Sequence, residues 1–255
     1  MQIRFDNKIV AVTGAGHGFG RAIARCFASL GARVFATDVT EAPLAETAAT
    51  GGISAQTVDL RDRAAGAAWI AGIERAAGGS SGGAIDVLVN NAGGVAGQTN
   101  RPIEDVPDAD WDVIFDIGVN AAFALCRAAA PGMKRNGAGR IVNISSGAGL
   151  QASLTGIQAY CSAKHAVVGL TRQLAHELGP FGITVNSVAP GFIRTNAATE
   201  RQWDSYGPEG QRALVDRIAM KHLGTAEDIA NAVVFFASDL AGFVNGQILS
   251  VDGGR

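Results

Sequence analysis

The stretch QAYCSAKHAVVGL, residues 158–170, places Tyr160 and Lys164 four residues apart. On a helix this spacing puts the two side chains on one face, one turn apart. A free tyrosine, with a pKa of about 10, is a poor base near neutral pH, but a neighbouring ammonium group favours the phenolate and lowers that pKa. The pair therefore predicts general acid–base chemistry. By itself the spacing also fits a packed tyrosine beside a solvated lysine, so the rest of the chain must decide.

A second candidate site is the glycine-rich stretch TGAGHGFG, which contains Gly14, Gly18 and Gly20. Glycine allows positive φ and lets a ligand approach the backbone closely. The N-terminus of a following helix attracts a pyrophosphate. Because the apolar run KIVAVT precedes the turn and a helical pattern follows it, the stretch predicts a dinucleotide site rather than an ordinary glycine-rich loop.

Asp38 ends the next apolar run, ARVFATD, at the separation from the glycines expected of a carboxylate that binds a ribose diol. Such a carboxylate repels a 2′-phosphate, and no Arg or Lys follows it directly, so the sequence predicts NAD rather than NADP. His17 is a contrary sign, because a histidine in the turn can offer a weak positive contact to a phosphate. A loop histidine can equally be incidental.

The remaining candidate ligands are not spaced for a metal. His176 and Glu177 are adjacent, whereas two ligands on one helical face need an i, i+4 spacing. The three cysteines lie far apart in the chain and are odd in number, at Cys26, Cys126 and Cys161. We therefore predict no catalytic metal and no disulfide framework.

Seven short apolar runs alternate with longer Ala-rich stretches, and this alternation must position the candidate residues. Continuous apolarity is typical of parallel strands covered on both faces, and the runs are KIVAVT, ARVFATD, ISAQTVD, IDVLVN, RIVNIS, ITVNSVA and GQILSVD. The helix candidates between them are Gly20–Leu30, Arg61–Ala77, Trp111–Arg135, Ala159–Leu178 and Ala226–Ala237. This order predicts an α/β fold, a doubly wound Rossmann-type domain with a seven-stranded parallel sheet and helices on both faces.

No linker interrupts the alternation, so we expect one domain over residues 1–255. The stretch GGSSGG, residues 78–83, predicts a flexible surface loop. Residues 192–222 break the rhythm, since they contain no clear strand and carry Trp203 and Tyr206. A long irregular segment inside a compact domain is typical of a substrate lid.

Composition excludes several classes of partner. The 255 residues are 47% hydrophobic and carry a formal net charge of −2, so a large core is expected and a basic face for nucleic acid or anionic lipid is not. No stretch approaches the roughly 18 uninterrupted apolar residues of a membrane span, and the N-terminus shows no signal-peptide core. We expect a soluble, cytoplasmic protein without nucleic-acid or membrane partners.

With these motifs in their order, the chain resembles the short-chain dehydrogenase/reductase family from about residue 6 to residue 254. TGAGHGFG is similar to the family's cofactor turn, and VDL, NNAG, GVNAAF, IVNISS, YCSAK and PGFIRT follow in family order. Two features depart from the pattern. Phe19 stands where the family commonly has Ile, and the gap from Ser146 to Tyr160 is one residue longer than is common. Ser146 is preferred over Ser145 because it follows the strand residues in the usual register.

The resemblance implies hydride exchange between a nicotinamide cofactor and a secondary alcohol or ketone, catalysed by Asn120, Ser146, Tyr160 and Lys164. Tyr160 is implied to transfer the proton, Lys164 to tune Tyr160 and hold the nicotinamide ribose, Ser146 to bind the reacting oxygen, and Asn120 to position a water. The resemblance also implies a homotetramer. Cofactor contacts are assigned to Tyr160 and Lys164 and to Gly14, His17, Gly18, Phe19, Gly20, Asp38, Asp59, Leu60, Asn91, Ala92, Gly93, Pro190, Gly191, Ile193 and Thr195.

The substrate is the least determined part of the site. Polar side chains before Tyr160 and an aromatic lid suit a small hydroxylated compound such as a sugar, sugar acid or hydroxy acid; the candidates are Gln151, Ser153, Gln158, Phe192, Arg194 and Trp203. Arg194 can grip a carboxylate, or it can be a solvated lid charge or a cofactor phosphate contact. Two rival functions stay open: a 3-oxoacyl-thioester (acyl-carrier-protein type) reductase, which Asp38 disfavours because many such relatives use NADPH, and a non-catalytic NAD-sensing scaffold.

Overall fold

In the computed structural model, which describes residues 3–78 and 83–255, seven strands form one parallel sheet in the order β3-β2-β1-β4-β5-β6-β7. The strands are β1 (Ile9–Thr13), β2 (Arg33–Asp38), β3 (Ile53–Thr57), β4 (Val87–Asn90), β5 (Gly139–Ile144), β6 (Ile183–Pro190) and β7 (Ile248–Val251). All seven predicted strands and the doubly wound α/β fold are confirmed. Of the predicted surface loop 78–83, residues 79–82 lie outside the described residues.

The helices are α1 (Gly18–Ser29), α2 (Glu41–Ala48), α3 (Arg63–Gly78), α4 (Asp108–Phe115), α5 (Ala121–Asn136), α6 (Gln158–Leu178), α7 (Ala197–Ser205), α8 (Gly207–Asp216) and α9 (Ala226–Ala237). The five predicted helices are confirmed. Helix α2 was not predicted, because it is short and buries only Leu44 and Thr47, so its apolar periodicity is weak.

The core lies on both faces of the sheet, as continuous strand apolarity predicts. Strand β1 shows the division: Val10 and Val12 pack into the layer beside α1 and α9, whereas Ile9 and Ala11 pack into the layer beside α3 and α5. Successive side chains point to opposite faces of a strand. Every residue of β6 is buried, while the edge strand β7 leaves Leu249 and Ser250 exposed.

The strand order reverses between β1 and β4, so the chain winds outward from the centre in two directions. In a parallel sheet the carboxyl ends of the strands meet at one edge, and ligands of such folds bind at this switch point. The turns after β1, β2, β4, β5 and β6 are therefore brought together at one edge. These turns carry most of the predicted cofactor residues, whereas Asn120, Tyr160 and Lys164 lie on helices.

Helices α4 and α5 are joined by a π-helical turn, Asp116–Asn120, and so form one continuous helix where Trp111–Arg135 was predicted. Among the described residues, Asp108–Asn136 is the one helix long and apolar enough to cross a membrane by length and composition, with mean hydropathy 1.6. Its buried residues include Leu125, Ala129 and Met133, which belong to the core below the sheet. These contacts are those of a helical layer in an α/β fold.

The segment 192–222 is not irregular, in contrast to the expectation from sequence. It contains α7 and α8, and neither helix has a buried residue. Helix α7 begins with a capping box in which the Asn196 side chain accepts from the Thr199 backbone N–H and the Thr199 side chain accepts in return. Both helices are short and polar on average, and the search for long apolar patterns did not reveal them.

Candidate active site

The glycine turn packs closely against itself and against the turns that follow β4 and β6. Gly14 and Gly18 have positive φ values of 61° and 55°, which favour glycine. A Cβ atom at Gly14 would lie 2.9 Å from the Ala92 Cα, and one at Gly18 would lie 3.2 Å from the Thr195 Oγ1. A Cβ atom at Gly20 would overlap the Gly14 carbonyl oxygen. The turns after β1, β4 and β6 therefore meet here in van der Waals contact.

Helix α1 begins inside this turn without a side-chain cap. His17 is the N-cap residue, its side chain accepts no capping hydrogen bond, and the first turn of α1 holds no acidic residue. Helices α7 and α9, by contrast, both begin with a capping box. The N-terminal N–H groups of α1 are thus left to a ligand, and the helix dipole favours an anionic one.

Asp38 lies against the same turn at the end of β2. It is 9% exposed, its Oδ2 accepts from the Gly16 N–H at 2.8 Å, and its Oδ1 accepts from the Thr40 N–H at 3.1 Å. A Cβ atom at Gly16 would lie 2.9 Å from the Asp38 carboxylate carbon. The carboxylate is thus held in one orientation, and each oxygen retains lone-pair capacity for a further donor.

The NNAG stretch is attached to β1 through Thr13. The Thr13 hydroxyl accepts from the N–H groups of Asn91 and Ala92, both at 3.0 Å, and the Asn91 side chain donates to the Thr13 and Gly14 carbonyls. A Cβ atom at Gly93 would lie 3.7 Å from the Lys164 Nζ. This strand end therefore connects the glycine turn with the lysine of α6.

Tyr160, Lys164 and Ser146 meet where β5 and α6 adjoin. Lys164 is 7% exposed; its Nζ donates to the Ile144 carbonyl at 2.9 Å and lies 5.7 Å from the centroid of the Tyr160 ring. The predicted helical spacing therefore does put both side chains on one face of α6. The lysine is not solvated, which removes the alternative of a packed tyrosine beside an exposed lysine.

Burial changes the proton affinity of both groups. It raises the pKa of the Tyr160 phenol, while a hydrogen bond with Ser146 acts in the lowering direction. Burial lowers the pKa of the Lys164 ammonium group to about 8. The sequence-based expectation that Tyr160 has a lowered pKa is therefore wrong for the chain by itself, because desolvation of the phenolate outweighs the favourable contacts.

The two adjacent serines after β5 have different roles. Ser145 is buried, and its hydroxyl donates to the Lys164 carbonyl at 3.1 Å. The Ser146 hydroxyl accepts from the Ala148 N–H at 3.1 Å and lies near enough to the Tyr160 phenol to favour its phenolate. The structure thus places Ser146 beside the phenol and directs the Ser145 hydroxyl to the backbone of α6.

Asn120 ends the π-helical turn between α4 and α5. Its Nδ2 donates to the Asp116 Oδ1 at 2.7 Å. Single π turns inside α-helices occur frequently at functional sites. The helix α4 and the turn itself both pack on α6, which carries Tyr160.

The PGFIRT stretch after β6 packs between β7 and the glycine turn. A Cβ atom at Gly191 would lie 2.8 Å from the Asp252 Cβ. Ile193 is buried in the core, and the Thr195 N–H donates to the Thr199 hydroxyl at 2.9 Å. Thr195 is therefore oriented by the first turn of α7 while its side chain faces Gly18.

Other predicted cofactor residues differ in what they offer a ligand. The Arg61 guanidinium beside Asp59 holds the pKa of that carboxyl below its usual range, and both side chains are partly exposed. Leu60 is buried in the core near α3, and Phe19 packs against the core beside α1. His17 is exposed. Leu60 therefore has little surface left for a ligand.

The predicted substrate residues fall into two groups. Phe192 stacks with Trp203 at 6.1 Å between ring centroids, and Tyr206 lies 5.8 Å from Phe192, so the lid has an aromatic cluster. Arg194 is exposed; both its Nε and Nη2 donate to the Glu200 Oε2, at 2.9 and 2.6 Å. The solvated-lid interpretation of Arg194 is thus favoured over a carboxylate grip.

The polar candidates before Tyr160 are partly engaged in loop structure. The Gln158 side chain donates to the Arg101 carbonyl at 3.0 Å, and the Ser153 hydroxyl contacts the Thr155 hydroxyl at 2.8 Å. Gln151 is exposed. Among the described residues, no group of three His, Cys, Asp or Glu side chains is arranged to hold a metal ion.

Sequence reasoning did not find three residues that shape this site, Thr13, Arg21 and Thr47. Arg21 and Thr47 hold the glycine turn from the side of α2, and that helix was not predicted. Thr13 stood inside the quoted motif, but only strand pairing shows that its hydroxyl faces the end of β4. A polar residue beside a glycine motif was the available signal for Arg21.

Together these features fit a nicotinamide dinucleotide. The uncapped helix start suits the pyrophosphate, the held carboxylate of Asp38 suits a ribose diol, and the glycines leave no Cβ atom to fill the cradle. Lys164 and Tyr160 lie on the other side of the switch point, beside Gly93 and Ser146. The residues present thus fit both ends of such a cofactor.

Comparison with known proteins agrees with this geometry. A protein family described as enoyl-(acyl carrier protein) reductase matches residues 14–255. The (2S)-[(R)-hydroxy(phenyl)methyl]succinyl-CoA dehydrogenase subunit BbsD of Thauera aromatica is 39% identical over 98% of this chain and 97% of its own. D-threitol dehydrogenase of Mycolicibacterium smegmatis is 38% identical over 98% and 94%. A crystal structure described as ribose-5-phosphate isomerase from Brucella melitensis is 35% identical, with a TM-score of 0.89 and coverage of 100% and 94%.

Proposed function

The chain belongs to the short-chain dehydrogenase/reductase family, and from this premise we propose that it is an NAD-dependent oxidoreductase that interconverts a secondary alcohol and a ketone. The observation that carries the proposal is the buried Lys164 beside Tyr160 and Ser146, next to a glycine turn. A buried lysine that has no anionic partner among the described residues lowers the stability of the folded protein. Such a lysine is expected where its charge acts on the proton of a neighbouring group.

The proposed cofactor is NAD because Asp38 stands at the ribose position of the cradle. Its carboxylate is buried, held by two backbone N–H groups, and cannot move away without breaking those bonds. A 2′-phosphate in this place would meet a fixed negative charge at short range, which disfavours NADP. Binding of NADH and NADPH, followed by nicotinamide fluorescence, tests this proposal without a substrate.

In the proposed mechanism Tyr160 exchanges the hydroxyl proton of the substrate. Ser146, which lies beside Tyr160, binds the same oxygen and orients it. Lys164, with a pKa of about 8, changes its protonation near the working pH and so exchanges charge with the phenol at low cost. Asn120, placed by Asp116, is proposed to hold a water that relays the proton. A bound nicotinamide supplies the acceptor for the hydride that leaves the carbon.

The raised pKa of Tyr160 has a consequence for direction. In the chain by itself the phenol is protonated near neutral pH, so it is ready to donate to a forming alkoxide in ketone reduction. Alcohol oxidation requires that the Tyr160 phenol lose its proton first, and the free-energy cost of this deprotonation is larger at low pH. The oxidation rate is therefore expected to rise with pH through the neutral range, more steeply than the reduction rate.

The proposed substrate is a small hydroxylated compound, a sugar, sugar acid or hydroxy acid, bound under the lid 192–222. The aromatic cluster of Phe192, Trp203 and Tyr206 gives the apolar side, and Ser153 and Gln158 give hydroxyl and amide groups. The likeness to a dehydrogenase of D-threitol supports this class. An assay panel of polyols, sugar acids and hydroxy acids, with NAD and NADP in parallel, tests it.

A second candidate is a hydroxyacyl-thioester dehydrogenase or 3-oxoacyl-thioester reductase, since the relative from Thauera aromatica is named for a CoA thioester. Acyl-CoA and acyl-carrier-protein substrates therefore belong in the same panel. Activity confined to thioesters would replace the first proposal by the second.

A homotetramer in the cytoplasm is proposed as the form of the protein. The exposed apolar side chains near the edge strand β7 support self-association, since Leu249 is exposed on β7 and Phe243 is fully exposed just before it. Sedimentation velocity measures the oligomeric state.

The catalytic assignment is tested with Tyr160→Phe. Turnover of the best panel substrate should fall at least about a hundredfold, because the proton-transfer group is removed. NADH binding should change little, since the glycine turn and Asp38 are intact. Near-normal turnover would contradict the assignment, and a chain that binds NADH but oxidises no member of the panel would favour the non-catalytic NAD-sensing scaffold.

A further inference from the structure

Side chains of α1 and α2 together hold two consecutive peptide groups of the glycine turn. The Thr47 hydroxyl of α2, which is fully buried, donates to the Ala15 carbonyl at 2.8 Å. The Arg21 guanidinium of α1 donates to the Gly16 carbonyl from Nε at 3.1 Å and from Nη2 at 2.6 Å.

The peptide unit between Ala15 and Gly16 is held at both of its polar ends. Its carbonyl oxygen accepts from Thr47, and its N–H donates to the Asp38 Oδ2 at 2.8 Å. Because a peptide unit is planar, rotation of this unit breaks both bonds together. The orientation of the Asp38 carboxylate, at the end of β2, therefore depends on the Thr47 hydroxyl of helix α2.

Arg21 links the glycine turn to helix α2. Besides the Gly16 carbonyl, it donates to the Pro43 carbonyl at 3.0 Å and to the Thr47 hydroxyl at 3.1 Å. It also pairs with Glu46 at 3.0 Å. Its charge is thus satisfied by α2 and the turn, and it fixes the position of Thr47 relative to both.

We propose that Thr47 and Arg21 are positioning residues for cofactor selection, which act through the Ala15–Gly16 peptide on Asp38. In this proposal α2 is part of the selectivity site although it lies outside the cradle. Without the Thr47 hydroxyl, the peptide unit loses one of its two anchors, and the Asp38 carboxylate is held less firmly, because the Thr40 N–H becomes its one independently fixed donor. Binding of a ribose diol weakens, and the repulsion of a 2′-phosphate weakens as well, because the carboxylate is free to turn away.

The inference rests on the proposed NAD-dependent function and is tested by binding, without any substrate. NADH and NADPH are titrated separately against wild-type protein, Thr47→Val and Thr47→Ser. Valine matches threonine in shape and lacks the hydroxyl. NADH affinity of Thr47→Val should fall about fivefold, the equivalent of one ordinary hydrogen bond, while NADPH affinity stays within about twofold. Thr47→Ser, which retains the hydroxyl, should restore both the NADH affinity and the preference.

Arg21→Met provides a second variant, and Arg25→Met is its matched control. Arg25 lies one turn along α1 and also donates to α2, at the Glu46 carbonyl, but it does not contact the glycine turn. Arg21→Met should reduce the ratio of NADH to NADPH affinity as Thr47→Val does, and Arg25→Met should leave the ratio unchanged. Thermal midpoints of all variants report loss of stability separately.

The outcomes separate this inference from the proposed function. Wild-type protein that binds NADPH more tightly than NADH would overturn the proposed cofactor and this inference with it. Wild-type protein that prefers NADH, together with a Thr47→Val variant that keeps the same ratio, would overturn this inference alone. An equal loss of NADH and NADPH affinity would also overturn it, because that is the result of a structural defect in the turn.

Discussion

The buried charge of Lys164 is expected to lower the free energy of unfolding of the protein. Its ammonium group is buried and its pKa falls from 10.5 to about 8. Since one pKa unit corresponds to about 1.4 kcal/mol, the charged form costs the folded state about 3 kcal/mol. Replacement by Met removes this cost but leaves the Ile144 carbonyl without its donor, a loss of about 1 kcal/mol. Lys164→Met should therefore stabilise the protein near neutral pH by about 2 kcal/mol.

The pH dependence has a defined sign. Between the folded pKa of about 8 and the unfolded value of 10.5, the unfolded chain binds the proton that the folded chain has released, so wild-type stability gains from rising pH across this interval. This gain in stability is complete above the pKa of Lys164 in the unfolded chain and is lost as the pH falls through the pKa of Lys164 in the folded protein. Lys164→Met lacks this gain. The stability advantage of Lys164→Met over wild-type protein should therefore shrink as the pH rises across this interval, and wild-type protein should be the more stable one at its upper end.

The assay is urea unfolding of wild-type protein and Lys164→Met at a series of pH values through that interval. The Cys126 thiol titrates in the opposite sense, since burial raises its pKa to about 12, but both proteins share it and it cancels in the difference. Lys8→Met is the control, because Lys8 is an exposed lysine paired with Asp86. A stability difference between wild-type protein and Lys164→Met that does not change with pH would refute the reasoning.

Two further predictions concern buried groups away from the site. Cys126 should resist alkylation by iodoacetamide in the folded protein, because only the thiolate reacts and burial raises the pKa of this thiol to about 12. Mass spectrometry should find Cys126 modified only after unfolding, and rapid labelling of the native chain at this position would contradict its burial. Glu74→Gln should raise the thermal midpoint at neutral pH, because burial raises the pKa of this carboxyl and its Oε1 has no hydrogen-bond partner within residues 3–78 and 83–255. The gain should disappear as pH falls and the native carboxyl becomes protonated; a variant less stable at neutral pH would argue against this.

The glycine turn and the shared helical face of Tyr160 and Lys164 were predictable because their signals are local. A strand, a glycine-rich turn and a helix follow one another within about twenty residues. Asp38 then follows the glycines at about the separation expected of a carboxylate that binds a ribose. Likewise, Tyr160 and Lys164 share a helical face by spacing alone. The strand runs were visible for the same kind of reason, since a strand buried on both faces is apolar throughout.

Helices without an apolar stripe were not predictable in this way. Helices α7 and α8 bury no residue, and α2 buries only Leu44 and Thr47, so these short helices lack the long apolar pattern by which the others were found. What defines α7 is the capping box of Asn196 and Thr199, which becomes clear only from backbone geometry. The positioning role proposed for Thr47 was hidden for the same reason.

The sequence by itself determined the order of the elements, the family pattern and the identity of the groups that can transfer a proton, because these follow from residue type and short spacing. Tertiary structure alone decided the environment of those groups. It showed that Lys164 is buried, that desolvation raises the pKa of Tyr160, and that Ser145 bonds to the helix backbone while Ser146 lies beside the phenol. Burial and hydrogen-bond direction depend on strands and helices distant in the chain, and no local pattern encodes them.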